Sequence, residues 1–278
     1  PAAILFIIFF VVPNLASFVL GFTDWSLYDF NNIKFNGLEN FRRLFSEKTF
    51  AIAIKNTFYF AIVTVLIKNI FGFLMALIVK KTSKFNTLLR AVVFLPMTIS
   101  VMVVAIIFVS IYNPTNGIIN EGLRAIGLDS LTCDWLFDAR YSMNSICLMD
   151  IWQGTGFTMC VMISGLQAIP TDYYEAAKID GADKWQQLRY VTLPLLISSI
   201  TISLVFNIIS GFKVFAQVYS TTNGGPADST HVLGTFLFKS FGNGFLGYSA
   251  AVGLFTTVLI VALSMTLLAI LRKREVEY

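Results

Sequence analysis

Hydrophobic positions along the chain gather into long unbroken runs, not into the alternation of half-buried strands or the narrow stripe of amphipathic helices. Six runs reach the ~20 residues that a helix needs to cross a hydrocarbon core. They cover 2–21, 52–79, 88–111, 143–168, 194–218 and 246–271. Polar segments separate them, with turn chemistry at Asn113-Pro114 and Asn223-Gly224-Gly225-Pro226. Lipid satisfies no backbone polar group, so helices are the expected spanning elements. The pattern predicts an all-α membrane protein of six transmembrane helices, one domain over 1–278 with no appended soluble domain. The run at 2–21 exceeds a signal-peptide core and no cleavage pattern follows it, so it reads as a span. The chain opens on Pro1 instead of Met, so residues are expected to precede it.

Composition agrees. Of 278 residues, 56% are hydrophobic and 13% charged, about half the charge of a soluble domain. Mean hydropathy is +0.73. A net charge of +4 is too small and scattered to suggest nucleic acid. Cys133, Cys147 and Cys160, with the single His231, match no metal-site spacing. Orientation follows from basic residues. Lys80, Lys81, Lys84 and Arg90, then Lys178, Lys184 and Arg189, then Arg272, Lys273 and Arg274 crowd the short segments of one side. That side is expected to be cytoplasmic, with both termini on it.

The segment 170–194 carries the most information. Asp172 with Glu175 has capping-box spacing, giving a short helix Tyr173 to Ile179. Asp180-Gly181 should break it, with Gly181 in a left-handed turn. A second helix over about 182–191 would carry Trp185 and Leu188 on one side, and Pro194 suits the first turn of the following span. Such a hairpin is either a connector or a docking element.

Polar residues also recur inside spans. Asp150, Gln153, Gly154 and Phe157 share one face of the fourth, and Asn207, Ser210, Gly211, Val214 and Gln217 one face of the fifth, with Lys213 and Tyr219 beside it. Two readings stand: a cavity for a polar solute, or helix–helix packing. Asp150 is also placed to meet water at the outer interface, as is Lys55. Lys68 and Asn69 lie deep in the second span, where a cavity wall or a subunit interface would account for them. Lys213 suits either an anionic solute or the outer surface.

Glu175-Ala176-Ala177, Gly181 and Leu193-Pro194 resemble the EAA loop of binding-protein-dependent ABC importer permeases. Phe22-Thr23-Asp24-Trp25, Gly37-Leu38-Glu39-Asn40-Phe41, Leu89-Arg90 with Phe94-Leu95-Pro96, and Asn223-Gly224-Gly225-Pro226 resemble motifs of its sugar-permease branch. Leu188 departs from it, standing where the family often has Phe. The resemblance implies a type I ABC importer permease fold with a cytoplasmic coupling helix. Glu175, Ala176, Ala177, Asp180, Gly181 and Ala182 would form the coupling turn against the ATPase. Gly154, Phe157 and Gly211 would fall near sugar-contacting positions. The family's partners are a cytoplasmic ATPase dimer that binds ATP and Mg, a second homologous permease and an extracytoplasmic solute-binding protein, in a bacterial cytoplasmic membrane. No G-x-x-x-x-G-K-[ST] occurs, so no cofactor is expected in this chain. A secondary transporter would need broken helices and an ion-coupling carboxylate. A membrane protease would need a catalytic pair that the sequence does not supply.

Overall fold

The computed structural model describes residues 1–81 and 83–273. Arg274, part of the third basic cluster, lies outside the described residues. In chain order the helices are α1 (Ala2–Leu20), α2 (Glu39–Ser46), α3 (Lys48–Val79), α4 (Lys84–Thr98) and α5 (Val101–Ile111). Then come α6 (Ile118–Ala125), α7 (Ser142–Ala168), α8 (Thr171–Ile179), α9 (Lys184–Leu195) and α10 (Ile197–Phe212). Last are α11 (Ala216–Thr221), α12 (Leu233–Gly242) and α13 (Leu246–Arg272). Among the described residues the only β pairing is one isolated bridge, Thr23 to Phe35.

Four of the six expected spans are unbroken: α1, α3, α7 and α13. The third and fifth are broken. Helices α4 and α5 meet at 99°, and α9 and α10 at 64°. Both breaks follow a proline, which removes a backbone donor and crowds the preceding turn. Pro96 sits in the last turn of α4, and Ile99 and Ser100 turn extended behind it. Pro194 precedes Leu196, whose ψ of −4° opens the bend. Pro194 therefore ends α9 and does not begin a straight span. The fifth run also stops early: α10 ends at Phe212, and the chain turns through Lys213–Phe215 before α11. Gly234 allows that turn, since a Cβ there would sit 2.6 Å from the Val214 carbonyl oxygen.

Helix α7 is the centre of the bundle, with buried residues along its whole length, whereas α1 has none. Close approach needs small residues, because lipid gives no hydrophobic drive to helix pairing. A Cβ on Gly156 would lie 2.3 Å from the Val93 carbonyl oxygen, so α4 packs backbone to backbone on α7. Met159, Met162, Leu166, Ala76, Val79 and Leu196 fill the core below.

The loops at the opposite end from α8–α9 are tied by side-chain amides. Asn40 donates to the carbonyls of Gly21 (2.9 Å) and Thr23 (2.8 Å), joining the first two sequence motifs. Asn56 donates to Ser229 and His231 carbonyls, both at 2.9 Å, pinning the loop after Gly225-Pro226 onto α3. His231 is buried there, with Nδ1 2.9 Å from Thr235 Oγ1 and Nε2 3.2 Å from Asp228. Burial, and then the charge of Lys239, hold its pKa below the usual histidine value, against the pull of Asp228.

Candidate functional site: a polar cavity and a hairpin

A cavity of about 320 Å³ opens between α3, α7, α10 and the α4–α5 break. Its floor holds an ion pair: Lys68 Nζ of α3 lies 2.5 Å from Asp150 Oδ2 of α7. Both are buried, at 4% and 7% exposure. This answers the placement of Lys68, and it corrects the outer-interface alternative for Asp150. Each charge is tolerable inside the bundle because the other is there. Gly154 makes room, since a Cβ there would come within 2.8 Å of Lys68 Cε. Gln217 of α11 donates to Asp150 Oδ1 at 3.1 Å, so three elements meet at one carboxylate.

The α4–α5 break supplies the opposite wall. Met97, Thr98, Ile99, Ser100 and Val101 line it, and the freed Ile99 carbonyl accepts from Gln153 Nε2 at 2.9 Å. Asn207 donates to Thr158 Oγ1 (3.0 Å) and Ser203 Oγ (3.3 Å). Ser210 donates to the Asn207 carbonyl (3.0 Å). Phe157 and Phe206 pack 4.2 Å apart, centroid to centroid, and both line the cavity.

Of the expected solute-facing residues, Asp150, Gln153, Gly154, Phe157, Asn207, Ser210 and Gln217 come together here. Four do not. Gly211 packs on Ala61 of α3, where a Cβ would lie 3.1 Å from the Ala61 Cα. Val214 is core, 2% exposed. Lys213 is exposed beyond the end of α10, and Tyr219 stacks on Phe215, 5.1 Å away, outside the cavity lining. Lys213, Val214 and Tyr219 lie past the early end of α10 at Phe212, where a register drawn through the whole run no longer holds, whereas Gly211, inside α10, is taken up by close packing on α3. The wall residues 97–101 and Phe206 were not singled out from sequence; Pro96 was the available signal for the first group. A larger groove of about 550 Å³, lined by Phe58, Ile62, Leu66 and Leu263, is apolar and faces outward between α3, α10 and α13.

The α8–α9 hairpin projects from one end of the bundle. Gly181 has φ +80° and ends α8 in a Schellman turn. Ala182 N–H donates to the Ala177 carbonyl (2.8 Å) and Gly181 N–H to Lys178 (3.0 Å). The capping box is not Asp172 with Glu175. Helix α8 starts at Thr171 behind Pro170, with no side-chain cap. The box forms one helix later, where Asp183 Oδ1 accepts from Gln186 N–H (2.7 Å) and Gln186 Oε1 from Asp183 N–H (2.8 Å). Asp183 therefore caps α9, because the glycine turn delays the helix start. The second helix also runs on to Leu195, through a π-turn over Leu188–Thr192. Trp185 and Leu188 part company: Leu188 is half-buried, whereas Trp185, in the first turn beyond the bundle, is 66% exposed. Glu175 and Ala176 are exposed and Ala177 is half-buried. Ile179, at the hairpin tip, is 87% exposed. Lys80 lies near the hairpin, sharing a cleft with Thr171, Tyr174 and Lys178.

Residues 68–276 match the family model described as "Binding-protein-dependent transport system inner membrane component". The chain is 35% identical over 269 residues to the probable ABC transporter permease protein YurN of Bacillus subtilis, covering 96% of this chain and 91% of that one. It is 32% identical over 241 residues to the trehalose/maltose transport system permease protein MalF of Thermococcus litoralis, covering 87% and 81%. In fold it is similar to a chain of a bacterial ABC transporter involved in the import of the acidic polysaccharide alginate. The TM-score is 0.85 at 24% identity, over 98% of this chain and 93% of that one.

Proposed function

The chain belongs to the family of binding-protein-dependent transport system inner membrane components, and from that premise we propose that its cavity passes a carbohydrate while its α8–α9 hairpin answers to an ATPase. It is the membrane permease of an ABC importer, a transport subunit and not an enzyme. ATP and Mg belong, in this reading, to a separate cytoplasmic ATPase pair. A second, homologous permease completes the pathway, and an extracytoplasmic binding protein delivers the cargo.

The observation that carries the carbohydrate reading is the cavity lining. Hydroxyl and amide groups of Gln153, Asn207, Ser210 and Gln217 converge beside the Phe157–Phe206 pair. Sugars present hydroxyls at their rims and C–H faces to aromatic rings, and this lining offers both. The name of the Thermococcus relative points the same way. For the hairpin, two features support docking. Its tip exposes Ile179 and Trp185, apolar side chains of the kind that anchor interfaces. It also lies beside Lys80, the start of the basic cluster that marks the cytoplasmic side. Glu175, Ala176, Ala177, Asp180, Gly181 and Ala182 make the turn that the partner would meet, and both termini then lie in the cytoplasm.

The test is reconstitution in vesicles with the neighbouring ATPase, second permease and binding protein. Binding protein loaded with sugar should stimulate ATP hydrolysis several-fold and drive sugar uptake. Uptake that persists without ATP would overturn the proposal.

A further inference from the structure

We propose that the cavity is built for an uncharged, hydroxyl-rich cargo and rejects anionic carbohydrate, with Lys68 and Asp150 acting as one recognition couple of zero net charge. This rests on the carbohydrate reading above and narrows it.

Two independent features carry it. The first is charge. Among the described residues, Lys68 and Asp150 are the only charged ones lining the cavity, and they neutralise each other at 2.5 Å. An incoming carboxylate or phosphate would leave water for a site whose cation is already taken. It would also sit beside the Asp150 carboxylate, and like charges juxtaposed in a desolvated site repel strongly. The second is hydrogen-bond polarity. The NH₂ groups of Gln153, Asn207 and Gln217 are all committed to protein acceptors: the Ile99 carbonyl, Thr158 with Ser203, and Asp150. Among the described residues no donor meets their side-chain carbonyl oxygens. The amides thus offer acceptors, which suit the O–H groups of a neutral sugar. A carboxylate is acceptor-only and finds no match in them.

The experiment uses the assembled importer in nanodiscs, without its binding protein, so that the delivery step exerts no selection. Saturation-transfer NMR reads the binding of neutral di- to pentasaccharides built on glucose, galactose and mannose, and of the same compounds oxidised to uronates at C6. Neutral forms should bind about tenfold or more tighter than their uronates. Asp150→Asn leaves the ammonium unneutralised, so the preference should narrow by a similar factor or reverse. Uronates that equal or exceed the neutral forms on the unaltered complex overturn this inference and leave the carbohydrate reading standing. So does an Asp150→Asn complex with an unchanged preference. If that variant does not assemble, the ratio on the unaltered complex decides alone. An intact complex that hydrolyses ATP but binds neither class overturns the carbohydrate reading and this inference with it.

Discussion

Replacing Lys68 by Met and Asp150 by Asn, singly and together, tests the central contact of the bundle. At 2.5 Å and an effective dielectric constant of about 20, the gross Coulomb attraction is about 7 kcal/mol. Desolvation of two buried charges offsets most of it, so the pair as a whole adds little net stability. Removing one partner is different, because the other charge stays buried without compensation. Each single variant should lose about 3–5 kcal/mol. At about 2–4 °C per kcal/mol for a chain of this size, that is a fall of roughly 10 °C in apparent Tm. In the double variant the charges are gone, Met fills the lysine stem's space, and Asn can still accept from Gln217. It should lie within about 1 kcal/mol of the original. The assay is thermal unfolding of detergent-solubilised protein, followed by size-exclusion recovery. Single variants within 2–3 °C of the original, or a double variant that loses the sum of both, would refute the pairing.

Gly181→Val forces a β-branched residue to φ +80° with nothing within 4 Å of the new Cβ. The strain, about 1–3 kcal/mol, should stay in the hairpin: unfolding of the bundle unchanged, transport lost, checked by thermal unfolding beside vesicle uptake. Ile179→Asp with Trp185→Ser should weaken capture of the ATPase by about 30-fold or more, at about 1–2 kcal/mol per anchor, without moving Tm; this is read by pull-down titration. His231 refuses its proton in the folded loop until below the usual value, while the unfolded chain takes one up near pH 6.5. Its contribution is therefore full above about pH 6.5 and lost as pH falls below it. Melting curves at pH 7.5 and 5.5 should separate more for the original than for His231→Gln.

Hydropathy made the six spans legible because lipid tolerates little else, and the left-handed turn at Gly181 followed from residue chemistry alone. The breaks did not. Pro96 and Pro194 were visible, but proline is common in membrane helices, and whether it bends one depends on what receives the freed groups. Here Gln153, 54 residues away in sequence, donates to the Ile99 carbonyl. Two broken spans and a buried carboxylate also match the outline of a secondary transporter. The partner Lys68 removes the free carboxylate that such a reading needs, and family membership overturns it. Asn207, Ser210 and Gln217 do line one cavity, but Gln217 reaches it from α11 and not from a shared helix face, while Gly211 and Val214 pack in the bundle. Periodicity ranks positions on a helix but cannot say where the helix ends.

The bend between α9 and α10 has a mechanical meaning. Leu196 is fully buried, packed among Ala76, Val79 and Met159. It is a clamped fulcrum, not a slack joint. On one side, α9 runs about 18 Å toward the hairpin; on the other, Leu196 to Asn207 spans about 16 Å of α10. The arms are nearly equal. A push at the hairpin that tilts this beam would therefore reach Asn207 at close to full size and in the opposite sense, with no loop between to absorb it.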